Sequence, residues 1–111
     1  ALLAASLRER ACRLLGAWAH EPGRPHVSVV GAPIETTLLA ATGAIEVAVH
    51  GWDISRACGE DRPIPESLAA SLLVVAPLVI GPADRGGRFA PAYDVPPTAD
   101  ASARLLAFLG R

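Results

Sequence analysis

The sequence predicts a mostly all-α domain, a helix bundle or part of one, with short extended segments. Three observations predict it. Apolar residues recur at spacings of three and four over several stretches. Clusters of Pro and Gly separate those stretches. Only one short piece, rich in Val, reads as extended. Helices that carry one apolar stripe must bury it against each other, which makes a bundle the natural architecture.

The first helix is predicted over Leu2 to His20. Leu3, Leu7, Ala11, Leu14, Leu15 and Trp18 fall on one stripe, and Arg8, Glu9, Arg10 and Arg13 lie mostly off it. Pro22, Gly23 and Pro25 then punctuate a loop, "HEPGRPH". "HVSVVG", His26 to Gly31, reads as a short extended piece because of its valines. The longest helix is predicted over Glu35 to Ala57. Pro33 precedes it, where a missing N–H costs little, and Gly59 is placed to end it in a left-handed cap. Gly43 and Gly51 weaken that helix by about 1 kcal/mol each and permit close approach of a neighbour. "EDRPIP" is a loop, from which Pro65 opens a third helix over Glu66 to Ile80, with Leu68, Leu72, Val75 and Val79 in register. Its apolar run is shorter than the roughly 20 residues a bilayer demands, and Pro77 interrupts it, so it reads as a core helix. "GPADRGG" is a second loop and "RFAPAYDVPP" is irregular. Thr98 is the predicted N-cap of a last helix over Ala99 to Leu109, with Leu105, Leu106 and Leu109 as its apolar face and Gly110 as its stop.

The 111 residues fit one small domain. A composition of 51% hydrophobic and 19% charged residues excludes a disordered chain. The net charge of -1 carries no electrostatic footprint for nucleic acid or anionic lipid. All ten basic residues are Arg, and Lys, Asn and Gln are absent, a coding bias that suggests a high-GC, actinobacterial-type source. Cys12 and Cys58 stand at no metal-motif spacing, and no secretory signal is visible. They are expected to be reduced thiols in a cytoplasmic protein. There is no Met, and the chain opens inside a helical pattern. The expectation is a single-domain fragment over 1–111 whose N-terminal helix or helices lie elsewhere.

The residues that carry chemistry lie in "GAIEVAVHGWDIS", Gly43 to Ser55. Glu46, His50 and Asp53 are spaced i, i+4 and i+7 and so share one helical face. Ionised groups on such a stripe cannot be buried unpaired without a cost of several kcal/mol. They must bond each other, face water or bind a metal. A carboxylate oxygen and an imidazole nitrogen on consecutive turns can converge on one divalent ion. Asp53 can orient a ligand from behind, or pair with Arg56 on its own helix. Trp52 points off this face and reads as core packing. Arg85 and Arg88 flank two glycines in "DRGGRF", which suits either an anion-contacting loop or a solvated turn.

"EVAVHGWDISRACG" resembles the helix-borne motif of the DinB-like superfamily, in the branch that holds the mycothiol-dependent maleylpyruvate isomerase metal-binding domain. The motif there is Glu, three residues, His, then Gly-Trp-Asp-Leu and a short tail ending in Gly. Glu46, His50, Gly51, Trp52, Asp53, Ile54 and Gly59 match it here, with Ile in place of Leu. "LLGAWAHEPG" and "RFAPAYDVP…ADASARLLAFLGR" extend the resemblance over nearly the whole chain. It implies a four-helix bundle, with Glu46 and His50 as two ligands of a divalent metal, zinc first among candidates, and a further ligand His on an earlier helix. His20 and His26, in the proline-rich loop region, do not match that earlier ligand. It also implies a low-molecular-weight thiol as co-substrate and a small-molecule substrate.

Two functions follow as expectations. One is a metal-dependent thiol transferase or isomerase. The other is a non-catalytic helical interaction domain in which Glu46 and His50 form a structural pair. Either way, exposed apolar faces are expected to associate with the missing N-terminal segment or with a second copy, giving a homodimer.

Overall fold

A computed structural model of the chain describes residues 1–20 and 23–111. The element order is α1 (Leu2–His20), β1 (His26–Val29), β2 (Ala32–Glu35), α2 (Thr36–Ala57), α3 (Glu66–Val79), a single 3-10 turn (Pro82–Asp84) and α4 (Ala101–Leu109). The protein is therefore mostly helical with one small sheet, as the periodicity requires. The chain divides into two compact units, Ala1–Thr36 and Thr37–Arg111.

In the first unit, α1 has the predicted bounds, and no residue of it is buried. His20 belongs to its last turn rather than to the loop, with Nδ1 against the Gly16 carbonyl oxygen at 2.7 Å. Pro22, expected to break this helix, lies outside the described residues. The extended piece at His26 has a partner that the sequence did not reveal. β1 and β2 pair antiparallel, with His26 opposite Glu35 and Val29 opposite Ala32. Val30 and Gly31 form the two-residue turn, at φ 50° and 81°. Positive φ at both central positions is what a tight hairpin needs. Pro33 thus lies in a strand rather than before a helix, and the long helix begins at Thr36, not Glu35. The Thr36 hydroxyl donates to the Arg24 carbonyl and its N–H to that of Pro25, closing the base of the hairpin.

In the second unit, α2, α3 and α4 share one core. It contains Ile45 and Val49 from α2, Ala69, Leu72 and Ala76 from α3, and Leu105, Leu106 and Leu109 from α4. Ile64 and Ile80 close it at the two ends of α3. Pro77 does not end α3. It lies two residues before the helix end, where the missing N–H costs one bond and the chain still runs helical to Val79. The starts of α3 and α4 are tied to each other. The Ser102 hydroxyl accepts the Ile64 N–H at 3.0 Å, and both Glu66 carboxylate oxygens lie 3.0 Å from the Ala101 N–H.

The last helix starts two residues later than predicted. Ala99 N–H closes a turn on the Pro96 carbonyl, which leaves Thr98 inside that turn. Asp100 is the N-cap, its Oδ1 accepting the Ala103 N–H at 2.7 Å. Gly110 ends α4 in the left-handed conformation at φ 72°, and Gly59 follows α2 at φ 76°, both as predicted.

Candidate metal centre on the long helix

Helix α2 presents Ile45 and Val49 inward, at 2% and 1% exposure. Glu46 and His50 stand one position further round the same helix, so they sit on the rim of the core rather than in it. The Glu46 side chain is 44% exposed and that of His50 58%. His50 Nε2 lies 3.0 Å from Glu46 Oε2, and His50 Nδ1 lies 3.4 Å from Asp53 Oδ2. The helical spacing therefore does bring the three side chains into one line, with the imidazole between two carboxylates. Mutual bonding and access to water are both realised.

Asp53 does not pair with Arg56. Its partner is Arg111, 58 residues away, whose Nε–H is shared between Oδ1 at 3.1 Å and Oδ2 at 3.3 Å. Arg56 instead reaches Asp61 at 3.3 Å, and its guanidinium carbon lies 5.9 Å from the centre of the Trp52 ring. Trp52 packs partly buried against the core, as expected. Arg111 is the site residue that sequence reasoning missed. It follows a helix stop, and no local spacing connects it to α2.

The two glycine-flanking arginines separate. Arg85 turns back on the fold, donating to the carbonyls of Ala90 at 3.1 Å and Phe108 at 2.7 Å, with its guanidinium 4.8 Å from the Phe108 ring centre. Arg88 stays exposed and lies 3.5 Å from Asp84. A small cleft opens beside Glu46, between Thr42, Ile80, Asp84, Arg88 and Phe89, with an interior of about 30 Å³. That is room for about two water molecules. A larger hollow, about 260 Å³, lies on the Trp52 side of α2, between Val47, Gly51, Ile64 and Leu68, and does not include Glu46, His50 or Asp53.

The donor chemistry fits a divalent ion in part. Two ligands held about 2.0–2.1 Å from a tetrahedral ion stand roughly 3.3 Å apart, close to the separation of Glu46 Oε2 and His50 Nε2. Among the described residues, no three His, Cys, Asp or Glu side chains group closely enough to hold a metal. Asp53 is thus no third ligand, and its contact is with the other ring nitrogen of His50. Cys12 and Cys58 are free and exposed. His20 and His26 belong to the first unit, on α1 and β1.

Among the described residues, no helix is long and apolar enough to cross a membrane. No protein-family model, no curated protein and no solved structure matches the chain.

Proposed function

We propose that this chain is a divalent-metal-binding helical domain in which Glu46 and His50 supply two protein ligands, with zinc as the metal. The observation that carries the reading is the 3.0 Å approach of His50 Nε2 to Glu46 Oε2 on consecutive turns of α2, in a half-exposed position. Both atoms are established zinc donors, and solvent access leaves coordination positions free for an exchangeable ligand. The resemblance of "EVAVHGWDISRACG" to the DinB-like motif supports the same residues and extends the reading to a DinB-like four-helix bundle. On that reading the activity is a transfer or isomerisation that uses a low-molecular-weight thiol of the mycothiol type on a small-molecule substrate. The bound metal would supply a deprotonated thiol at neutral pH. The chain's own part is to hold the two donors in register on α2 and to keep His50 oriented through Asp53.

A second reading is a non-catalytic interaction domain. It is favoured by the absence of a third donor among the described residues and by the fact that Glu46 and His50 already satisfy each other.

Zinc titration by calorimetry separates the two. It is best done with both exposed cysteines changed to Ser, so that thiols do not bind the metal adventitiously. Stoichiometric binding that Glu46→Ala and His50→Ala each abolish is the expected result. Zinc at 100 times its dissociation constant then adds about 2.7 kcal/mol of stability, read as a rise in melting temperature that both variants lose. Failure of the wild-type chain to bind zinc rejects the metal reading and leaves the structural pair.

A further inference from the structure

We infer that α1 is a dimerisation helix: it pairs with α1 of a second copy of this chain, antiparallel about a two-fold axis at Ala11. The inference is independent of the metal reading. On the helical repeat, Leu3, Leu7, Ala11, Leu14, Leu15 and Trp18 form one stripe about a third of the circumference wide. Nothing in the chain covers it. Leu3 is 87% exposed, Leu7 and Leu15 70%, Leu14 64% and Trp18 43%, and no residue of α1 is buried. Their apolar area is about 700 Å², above the ~300–600 Å² of the largest patch on an ordinary monomer. Covered by its own copy, the stripe makes an interface of about 1,400 Å², inside the range of about 1,200–2,000 Å² for stable complexes.

The stripe is also self-complementary, which a two-fold interface requires. Counted outward from Ala11, Leu7 and Leu15 stand four residues away on either side, and Ala4 and Trp18 seven. An antiparallel pair therefore sets Leu7 of each copy against Leu15 of the other. The bulky Trp18 fills the space over the small Ala4, and the two Ala11 residues meet at the closest approach. A parallel pair sets like against like, so Trp18 crowds Trp18 while Ala4 faces Ala4 across a gap. Overpacking and voids both cost stability. Antiparallel pairing also lays the two helix dipoles head to tail. Glu9 and Arg13 stay in water, on the side away from the stripe. The two Arg10 side chains come nearest across the axis, on an open edge where water and salt screen them.

The test uses the whole chain and two readouts. Sedimentation equilibrium, run without added metal, reads the dimer. Wild type is expected to dimerise reversibly, and Leu7→Glu to raise the dissociation constant about tenfold or more, because the symmetry places the substitution at two points of one interface. Leu7 is no part of the buried core, so slow amide exchange at Leu105 and Leu109 stays as in wild type and shows the variant folded. Disulfide formation reads the direction, with Cys12 and Cys58 both changed to Ser and one new cysteine added. Ala11→Cys, on the axis, oxidises to a linked dimer. Ala4→Cys does not, because the two copies of position 4 stand about 20 Å apart along antiparallel helices, beyond the reach of a disulfide. A chain that stays monomeric at every concentration overturns the inference, and so does a dimer that Leu7→Glu leaves intact. Self-linking of Ala4→Cys as fast as that of Ala11→Cys overturns the antiparallel arrangement.

Discussion

At the scale of single residues, the positions that matter most are those where backbone geometry or a distant partner leaves no alternative. Gly110 is one. It holds φ 72°, and a Cβ built on it would meet the Ala90 carbonyl oxygen at 2.5 Å. Both penalties act together, since a side chain is strained at that φ and the obstacle is backbone rather than a movable tip. Gly110→Ala is expected to cost more than the ~1 kcal/mol of an open left-handed site, and chemical denaturation will show it as a lower midpoint at an unchanged slope. A midpoint equal to wild type would mean the segment around Ala90 yields freely. The glycine was legible in the sequence as a helix stop. Its close approach to Ala90 was not, because the contact joins positions 20 residues apart across an irregular segment and the whole of α4. The same holds for Arg85. Two glycines beside two arginines suit an anion-contacting loop or a solvated turn, yet the acceptors of Arg85 are main-chain oxygens of Ala90 and Phe108. Charge and spacing identify a donor; only the folded chain says which oxygen it meets. Glu46, His50 and Asp53 were legible for the opposite reason, as their geometry is set by the helix repeat alone.

At the scale of elements, helix existence followed from periodicity, and helix ends were decided by competition between nearby capping residues. "PTADAS" offers Thr98 and Asp100 as N-caps for α4, and the turn closed by Ala99 on Pro96 takes Thr98 out of contention. The hairpin was hidden because Val30 and Gly31 are not the Asn-Gly pair that announces a tight turn, and because Pro33 resembles a helix start. What fixes α4 against α3 is a pair of reciprocal bonds at their starts. Ser102 is 3% exposed, and its hydroxyl serves the Ile64 N–H. Ser102→Ala leaves that buried N–H without an acceptor, which costs about 1–3 kcal/mol. Asp100→Ala removes only an exposed cap and costs about 0.5–2 kcal/mol. Leu105→Ala empties a site with no exposed surface and costs about 2–5 kcal/mol. Thermal melts of the three variants are expected to rank Leu105→Ala lowest. Should Asp100→Ala melt below Leu105→Ala, the shared core would not be the main source of stability in this unit.

At the scale of the whole molecule, the two units differ in what holds them. Thr37–Arg111 has a shared core with Leu105 and Leu109 fully buried. Ala1–Thr36 contains a 19-residue helix and a two-stranded hairpin, and none of its described residues is buried. Most of a helix's stability in a protein comes from tertiary packing of its apolar face, and an isolated hairpin is marginal in water. Hydrogen exchange should therefore separate the units. The amides of α1 are expected to exchange with little protection, and those of Leu105, Leu106 and Leu109 to approach the global unfolding limit. The apolar stripe of α1 adds a concentration dependence. Leu3, Leu7, Leu14 and Leu15 are each more than 60% exposed, a face that a second copy of the chain can cover. If it does, protection of α1 rises with protein concentration while that of α4 stays constant, and sedimentation velocity shows a dimer over the same range. Protection of α1 that matches α4 at every dilution would contradict both statements, since it would place α1 in a cooperative unit with a core of its own.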